Sequence, residues 1–216
     1  KKKKKDGTAI RAIKKQQNNK LTLKSYSASR GTLPSGRIQS VFMDSEQYEW
    51  ILTDNGLYKL HGPRITSIIR GKSAIGKPMG FCSATEQNGE LFIGASRGRV
   101  FMYSLKKRKI TSMQLQTAAR IISILKHQKQ TAYITDCDGL FITNTANSLP
   151  PHFSLKGVKN LKSEVIESAS ITRNGLIWLT HPKPGVTLFD SQTGQFNFID
   201  ITDELGRPID TETGFF

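Results

Sequence analysis

Apolar and polar residues alternate along the chain in stretches of five to seven positions, as in Ile38-Gln-Ser-Val-Phe-Met-Asp44 and Thr131-Ala-Tyr-Ile-Thr135. Gly, Asn, Asp and Ser punctuate these stretches. Ile, Val, Phe, Tyr, Trp and Thr fill them, which is the pattern of short strands joined by tight turns. No run of twelve residues carries a helical period. The chain therefore reads as all-β.

The strands recur in groups. Four segments align, beginning at Ile38, Gly80, Arg120 and Val165. A second strand follows in each, carrying an aromatic at Trp50, Phe92, Tyr133 and Trp178, with successive gaps of 42, 41 and 45 residues. A glycine comes six residues later at Gly56, Gly98 and Gly139, and seven later at Gly185. A period in the low forties with three or four short strands per unit predicts β-propeller blades. The aromatic is expected to fill the wedge between blades and the glycine to hold a turn with positive φ. Asn88-Gly89 and Asn174-Gly175 lie between first and second strands, as two-residue hairpins require. Less regular fourth strands are expected at Ile65–Ile69, Lys109–Met113, His152–Leu155 and Phe196–Ile199, as suits outer edges.

This divides the chain into the end of a preceding blade with its outer strand (1–30), blades at 31–72, 73–115, 116–158 and 159–200, and the start of a following blade (201–216). The fold expected is a segment of about four blades, each a three- or four-stranded antiparallel sheet, within a larger ring of about seven.

Composition adds a basic bias. The net charge is +15, from 32 basic and 17 acidic side chains, and Lys1–Lys5 supply five of the positive charges. Such a field favours anionic partners, although 27 basic against 17 acidic groups elsewhere is an ordinary imbalance. Cys82 and Cys137 form no CxxC pair, and His61, His127, His152 and His181 lack metal-ligand spacing. No P-loop, dinucleotide or nucleophile-elbow motif occurs. No metal or cofactor is expected.

Thr32-Leu-Pro-Ser-Gly-Arg-Ile-Gln-Ser-Val-Phe-Met-Asp44, running into Glu49-Trp-Ile-Leu-Thr53 and Asn55-Gly-Leu-Tyr58, resembles the two-component regulator propeller repeat. It departs from that pattern at Thr32 and Leu52, where the family has Gly. The fourth repeat keeps Asn174-Gly175, Ile177-Trp178 and Thr180, and the middle two lose the Trp. The resemblance implies a periplasmic, oligosaccharide-sensing part of a hybrid histidine-kinase receptor of the Bacteroidetes kind. Its partners would be a neutral or acidic glycan, the remaining blades and downstream domains, and a second copy in a homodimer, rather than nucleic acid. The segment itself would not be an enzyme. The alternatives are a propeller interaction scaffold and a streptogramin-lyase-like enzyme.

Propeller ligands meet the loops around the central channel. The loops joining second to third strands, and those leading into the first strands, carry Asp54, Arg97, Asp136 and His181, with Arg37, Lys77 and Arg120 nearby. These are the ligand-binding candidates that the topology offers.

Overall fold

The structure, a computed structural model, describes residues 9–17, 20–27, 37–61, 64–70, 80–144 and 150–207. Eighteen strands and no helix occur among them. The chain forms a partial β-propeller of four blades, each a four-stranded antiparallel sheet, and divides into two compact units, Lys1–Phe81 and Cys82–Phe216.

In the first unit, β1 (Ala9–Gln17) and β2 (Lys20–Ser27) pair as a two-stranded antiparallel ribbon. β3 (Ile38–Met43), β4 (Glu49–Thr53), β5 (Gly56–His61) and β6 (Arg64–Arg70) pair in chain order as the first blade. Ile51, Tyr58 and Leu60 form its buried cluster, with Ile38 and Ile65 against it. Asp44 closes the β3–β4 turn. Its buried carboxylate accepts the Trp50 Nε1–H at 2.7 Å and the Tyr48 N–H at 2.8 Å. The fully buried indole thus keeps its one polar group paired, as burial demands.

The second unit holds three blades. The second blade is β7 (Phe81–Gln87, whose first residue closes the first unit), β8 (Glu90–Ala95), β9 (Arg99–Ser104) and β10 (Lys109–Gln114). The third is β11 (Ile121–His127), β12 (Gln130–Thr135), β13 (Leu140–Thr143) and β14 (His152–Phe153). The fourth is β15 (Ser168–Ile171), β16 (Leu176–Thr180), β17 (Val186–Asp190) and β18 (Gln195–Ile199).

Alternation sends each strand's side chains to two faces, and both faces of the third sheet are covered. One cluster joins Phe92 and Val100 of the second blade to Ile121, Ile124, Tyr133 and Phe141 of the third. The other joins Ala132, Ile134, Leu140 and Ile142 to Ile177, Leu179 and Phe189 of the fourth. Fully burying each such side chain stabilises by roughly 1.5–3 kcal/mol. Lys126 adds its ammonium 3.4 Å from the centre of the Phe92 ring.

The recurring aromatic is not one structural position. Phe92 points from the second blade toward the third, whereas Tyr133 points back from the third toward the second, and the two share a cluster. Ile177 and Leu179 face the third blade, so alternation turns Trp178 to the opposite side of its sheet, where it stays partly exposed. The six-residue spacing to glycine concealed this. Tyr133 lies one residue nearer its strand end than Phe92, and the following turn, Asp136-Cys-Asp138, is one residue longer than Ser96-Arg97. A one-residue slip flips the face.

The glycines also differ in kind. Gly139 has φ +72°, and a Cβ there would lie 2.1 Å from the Phe153 carbonyl oxygen. Gly56 does not have positive φ; space requires it, since a Cβ would lie 2.4 Å from the Ile69 carbonyl oxygen. Asn88-Gly89 is a two-residue hairpin with φ +54° and +76°. Asn174-Gly175 is not. There Thr172 N–H bonds Leu176 O and Gly175 N–H bonds Thr172 O, so the loop has three residues and a glycine bulge.

Two strand expectations also shift. Val165-Ile-Glu167 is connection rather than strand, because Ile166 N–H donates to the Asp136 carbonyl of the third blade. The outer strand at His152 has two residues. Of the spans expected to belong to flanking blades, residues 1–8 and 208–216 lie outside the described residues.

Gly139→Ala should cost about 2–4 kcal/mol, from steric clash and left-handed strain together. Gly89→Ala, with the same backbone sign but nothing within 4 Å of a new Cβ, should cost only about 1 kcal/mol. Urea midpoints of the two variants measure the difference; equal losses would contradict the crowding at Gly139.

Candidate functional site

Antiparallel pairing puts two kinds of loop at opposite ends of each blade. The turns after second strands, with the segments leading into first strands, lie at one end. The hairpins between first and second and between third and fourth strands lie at the other. The six described candidates read from sequence, Arg37, Asp54, Arg97, Arg120, Asp136 and His181, belong to the first end.

There the acidic residues tie each blade to itself. Asp54 Oδ1 accepts the Arg37 N–H at 2.9 Å, while Asp54 N–H donates to Arg37 O at 3.0 Å. The third blade repeats the device. Asp136 Oδ1 accepts the Arg120 N–H at 3.0 Å and Asp136 N–H donates to Arg120 O at 3.0 Å. Here the guanidinium joins as well, with Arg120 Nε 2.8 Å from Asp136 Oδ2. Burial alone would push the Asp136 carboxyl up, but the hydrogen bonds from Arg120 outweigh it and hold the group below the ordinary carboxylate range. The same bonds raise the Arg120 pKa. Asp54 and Asp136 therefore close the first strand against the second.

His181 corrects the expectation most plainly. It is 1% exposed. Its Nδ1 lies 2.8 Å from the Val165 carbonyl oxygen and its Nε2 lies 2.8 Å from Thr187 Oγ1. The carbonyl can only accept, so Nδ1 carries the proton and Nε2 accepts from the hydroxyl. Both nitrogens are spent inside the blade, and no face is left for a ligand. Arg97, at φ +58°, and Arg120 are exposed. Lys77 lies outside the described residues. Cys82 is half-buried on β7, Cys137 is exposed in the β12–β13 turn, and neither is in a disulfide.

The opposite end holds a feature that sequence reasoning passed over. An open cleft of about 590 Å³ runs between the hairpins of the third and fourth blades. The β11–β12 hairpin (His127 to Gln130) and Asn144 form one wall; the β15–β16 turn (Arg173 to Gly175) with Ser191 and Gln192 forms the other. Hydrogen bonds tie the walls. His127 Nε2 donates to the Arg173 carbonyl at 2.9 Å, and Ser191 Oγ donates to Gln130 Oε1 at 2.9 Å. The imidazole lies against bare backbone at Gly175, where a Cβ would sit 3.1 Å from Nδ1. In sequence these amides look like ordinary turn residues. Only the packing of two blades brings them together.

No family model matches the chain, and no curated protein does. Solved structures do. The extracellular domain of the B. thetaiotaomicron hybrid two-component system BT3049 aligns with a TM-score of 0.63 at 17% identity, over 77% of this chain and 25% of that one. The extracellular domain of BT4673, from the same organism, aligns at 0.64 and 18%, over 81% and 25%. A catalytically inactive virginiamycin B lyase from Staphylococcus aureus, solved with quinupristin, aligns at 0.69 and 12%, over 93% and 65%. The likeness is one of fold. This chain spans a quarter of the length of the two B. thetaiotaomicron domains.

The buried histidine makes stability depend on pH. Burial lowers the His181 pKa below 6.5, so the unfolded chain binds a proton that the folded chain refuses. The contribution of the neutral imidazole is complete above pH 6.5 and is lost as pH falls below it, by up to about 1.4 kcal/mol per pH unit. Between pH 7.5 and 5 the urea midpoint of the native protein should fall further than that of His181→Asn. Parallel curves would contradict this.

Proposed function

We propose that this chain is the ligand-sensing propeller part of an extracytoplasmic two-component receptor, and that its ligand is an oligosaccharide. The observation carrying this reading is the fold shared with the extracellular domains of two-component systems, met in a chain whose first repeat, from Thr32 to Tyr58, resembles the two-component propeller repeat. Binding, not catalysis, is its task. The remaining blades and the signalling domains belong to other parts of the same protein, and receptor pairing brings two copies together.

The lyase likeness favours a second reading, that of a propeller enzyme. The histidines speak against it, because the fold spends each one separately. His61 packs on Tyr48 at 4.9 Å, and His127 bonds the Arg173 carbonyl. His152 stacks on Phe141 at 4.5 Å, and His181 is locked inside the fourth blade. An acid–base group needs a partner converging on a shared reactant, and these four rings serve four places.

Titration calorimetry of the purified chain against a panel of neutral and acidic oligosaccharides tests the proposal. Saturable binding of at least one glycan, with quinupristin left intact alongside Mg²⁺, is the expected result. Consumption of quinupristin without glycan binding would overturn it in favour of the enzyme.

A further inference from the structure

The cleft between the third and fourth blades has a chemistry of its own. Its walls are rich in carboxamides, from Gln128, Gln130, Asn144, Asn174 and Gln192. A carboxamide both donates and accepts hydrogen bonds, and so does a sugar hydroxyl. Lys129 and Arg173, on opposite walls, only donate and carry charge. The volume falls within the roughly 300–1,000 Å³ typical of small-ligand sites. Open ends suit a segment of a longer polymer.

The site is also built in advance. The two cross-bonds, His127 to Arg173 and Ser191 to Gln130, fix the three hairpins before any ligand arrives. That reduces the ordering cost of binding. The field at this end is positive. The β9–β10 hairpin carries Lys106, Lys107, Arg108 and Lys109 at the same end of the second blade. Of the acidic side chains there, Glu86 Oε1 accepts the Gly89 N–H and Asp190 Oδ1 accepts the Gln192 N–H, each at 2.8 Å, while the exposed Glu90 lies within electrostatic reach of Lys126.

We infer that this cleft is a binding site for an acidic oligosaccharide, with Lys129 and Arg173 holding a carboxylate or sulfate and the amides holding the neighbouring hydroxyls. The inference rests on the sensor reading and moves its ligand from the channel-loop end, where Asp54, Asp136 and His181 are structural, to the hairpin end. Recognition there is by side chains on turns, so sequence can vary with the glycan while the blades stay unchanged.

The test measures affinity of the 216-residue chain for tetragalacturonate, maltotetraose and a dodecathymidylate. Tetragalacturonate should bind more tightly than the other two. Lys129→Ala and Arg173→Ala should each weaken it about tenfold or more, as expected for charge-assisted hydrogen bonds. Asn144→Ala should weaken it less. Arg97→Ala at the other end, and Lys107→Ala on the neighbouring hairpin, should leave it within about twofold. All five are exposed turn positions, and a urea midpoint for each confirms folding. Glycan binding that survives Lys129→Ala with Arg173→Ala would overturn the site and leave the sensor reading standing. Equal affinity for maltotetraose would overturn the acidic class. Equal affinity for the dodecathymidylate would reduce the cleft to an unselective polyanion contact. Failure of every glycan on the wider panel would end both readings.

Discussion

The rest of the second unit depends on the burial of the third sheet from both sides. A single four-stranded sheet this short has no core of its own. Tyr133, Phe141, Ile121 and Ile124 cover one face with help from Phe92 and Val100, and Ile134, Leu140 and Ile142 cover the other with Ile177, Leu179 and Phe189. In this unit a blade is stable because its neighbour supplies the missing half of an apolar layer. The left-handed and crowded glycines serve this arrangement, letting strands turn back within two to four residues so that sheets can be short.

The loops at both ends inherit their geometry from that packing. At one end, Asp136 ties the blade's own first strand through Arg120 and receives Ile166 N–H from the connection to the fourth blade, so side chain and backbone act in one junction. At the other end, two blades held face to face bring three hairpins within hydrogen-bond reach and leave a polar cleft between them. A binding site made this way costs the core nothing, since it uses only turn residues.

Much of the fold was legible because period and punctuation are covalent facts. Strand–turn–strand units about 42 residues apart, with glycine after an aromatic strand, admit few architectures. What the repeat could not give was parity. Tyr133 and Phe92 keep the same distance to glycine yet face opposite ways, because one residue moved from strand to turn. Function was harder to read. Asp54, Asp136 and His181 stand out by loop position and polarity, but the same polarity is what a turn needs to pair its backbone, and the structure puts it to that use. Gln130, Asn144, Asn174 and Gln192 come from four separate turns, and nothing local in sequence marks them as neighbours. A polar residue in a propeller loop is therefore ambiguous until its hydrogen bonds are counted.

Native-state hydrogen exchange tests the central claim most directly. If burial on both faces of the third sheet holds the second unit together, the amides of Gln130–Thr135 and Leu140–Thr143 exchange slowest and only through global unfolding. Those of the outer strands Lys109–Gln114 and Gln195–Ile199 should exchange faster, through local opening. Slower exchange in the outer strands than in β12 and β13 would contradict the account.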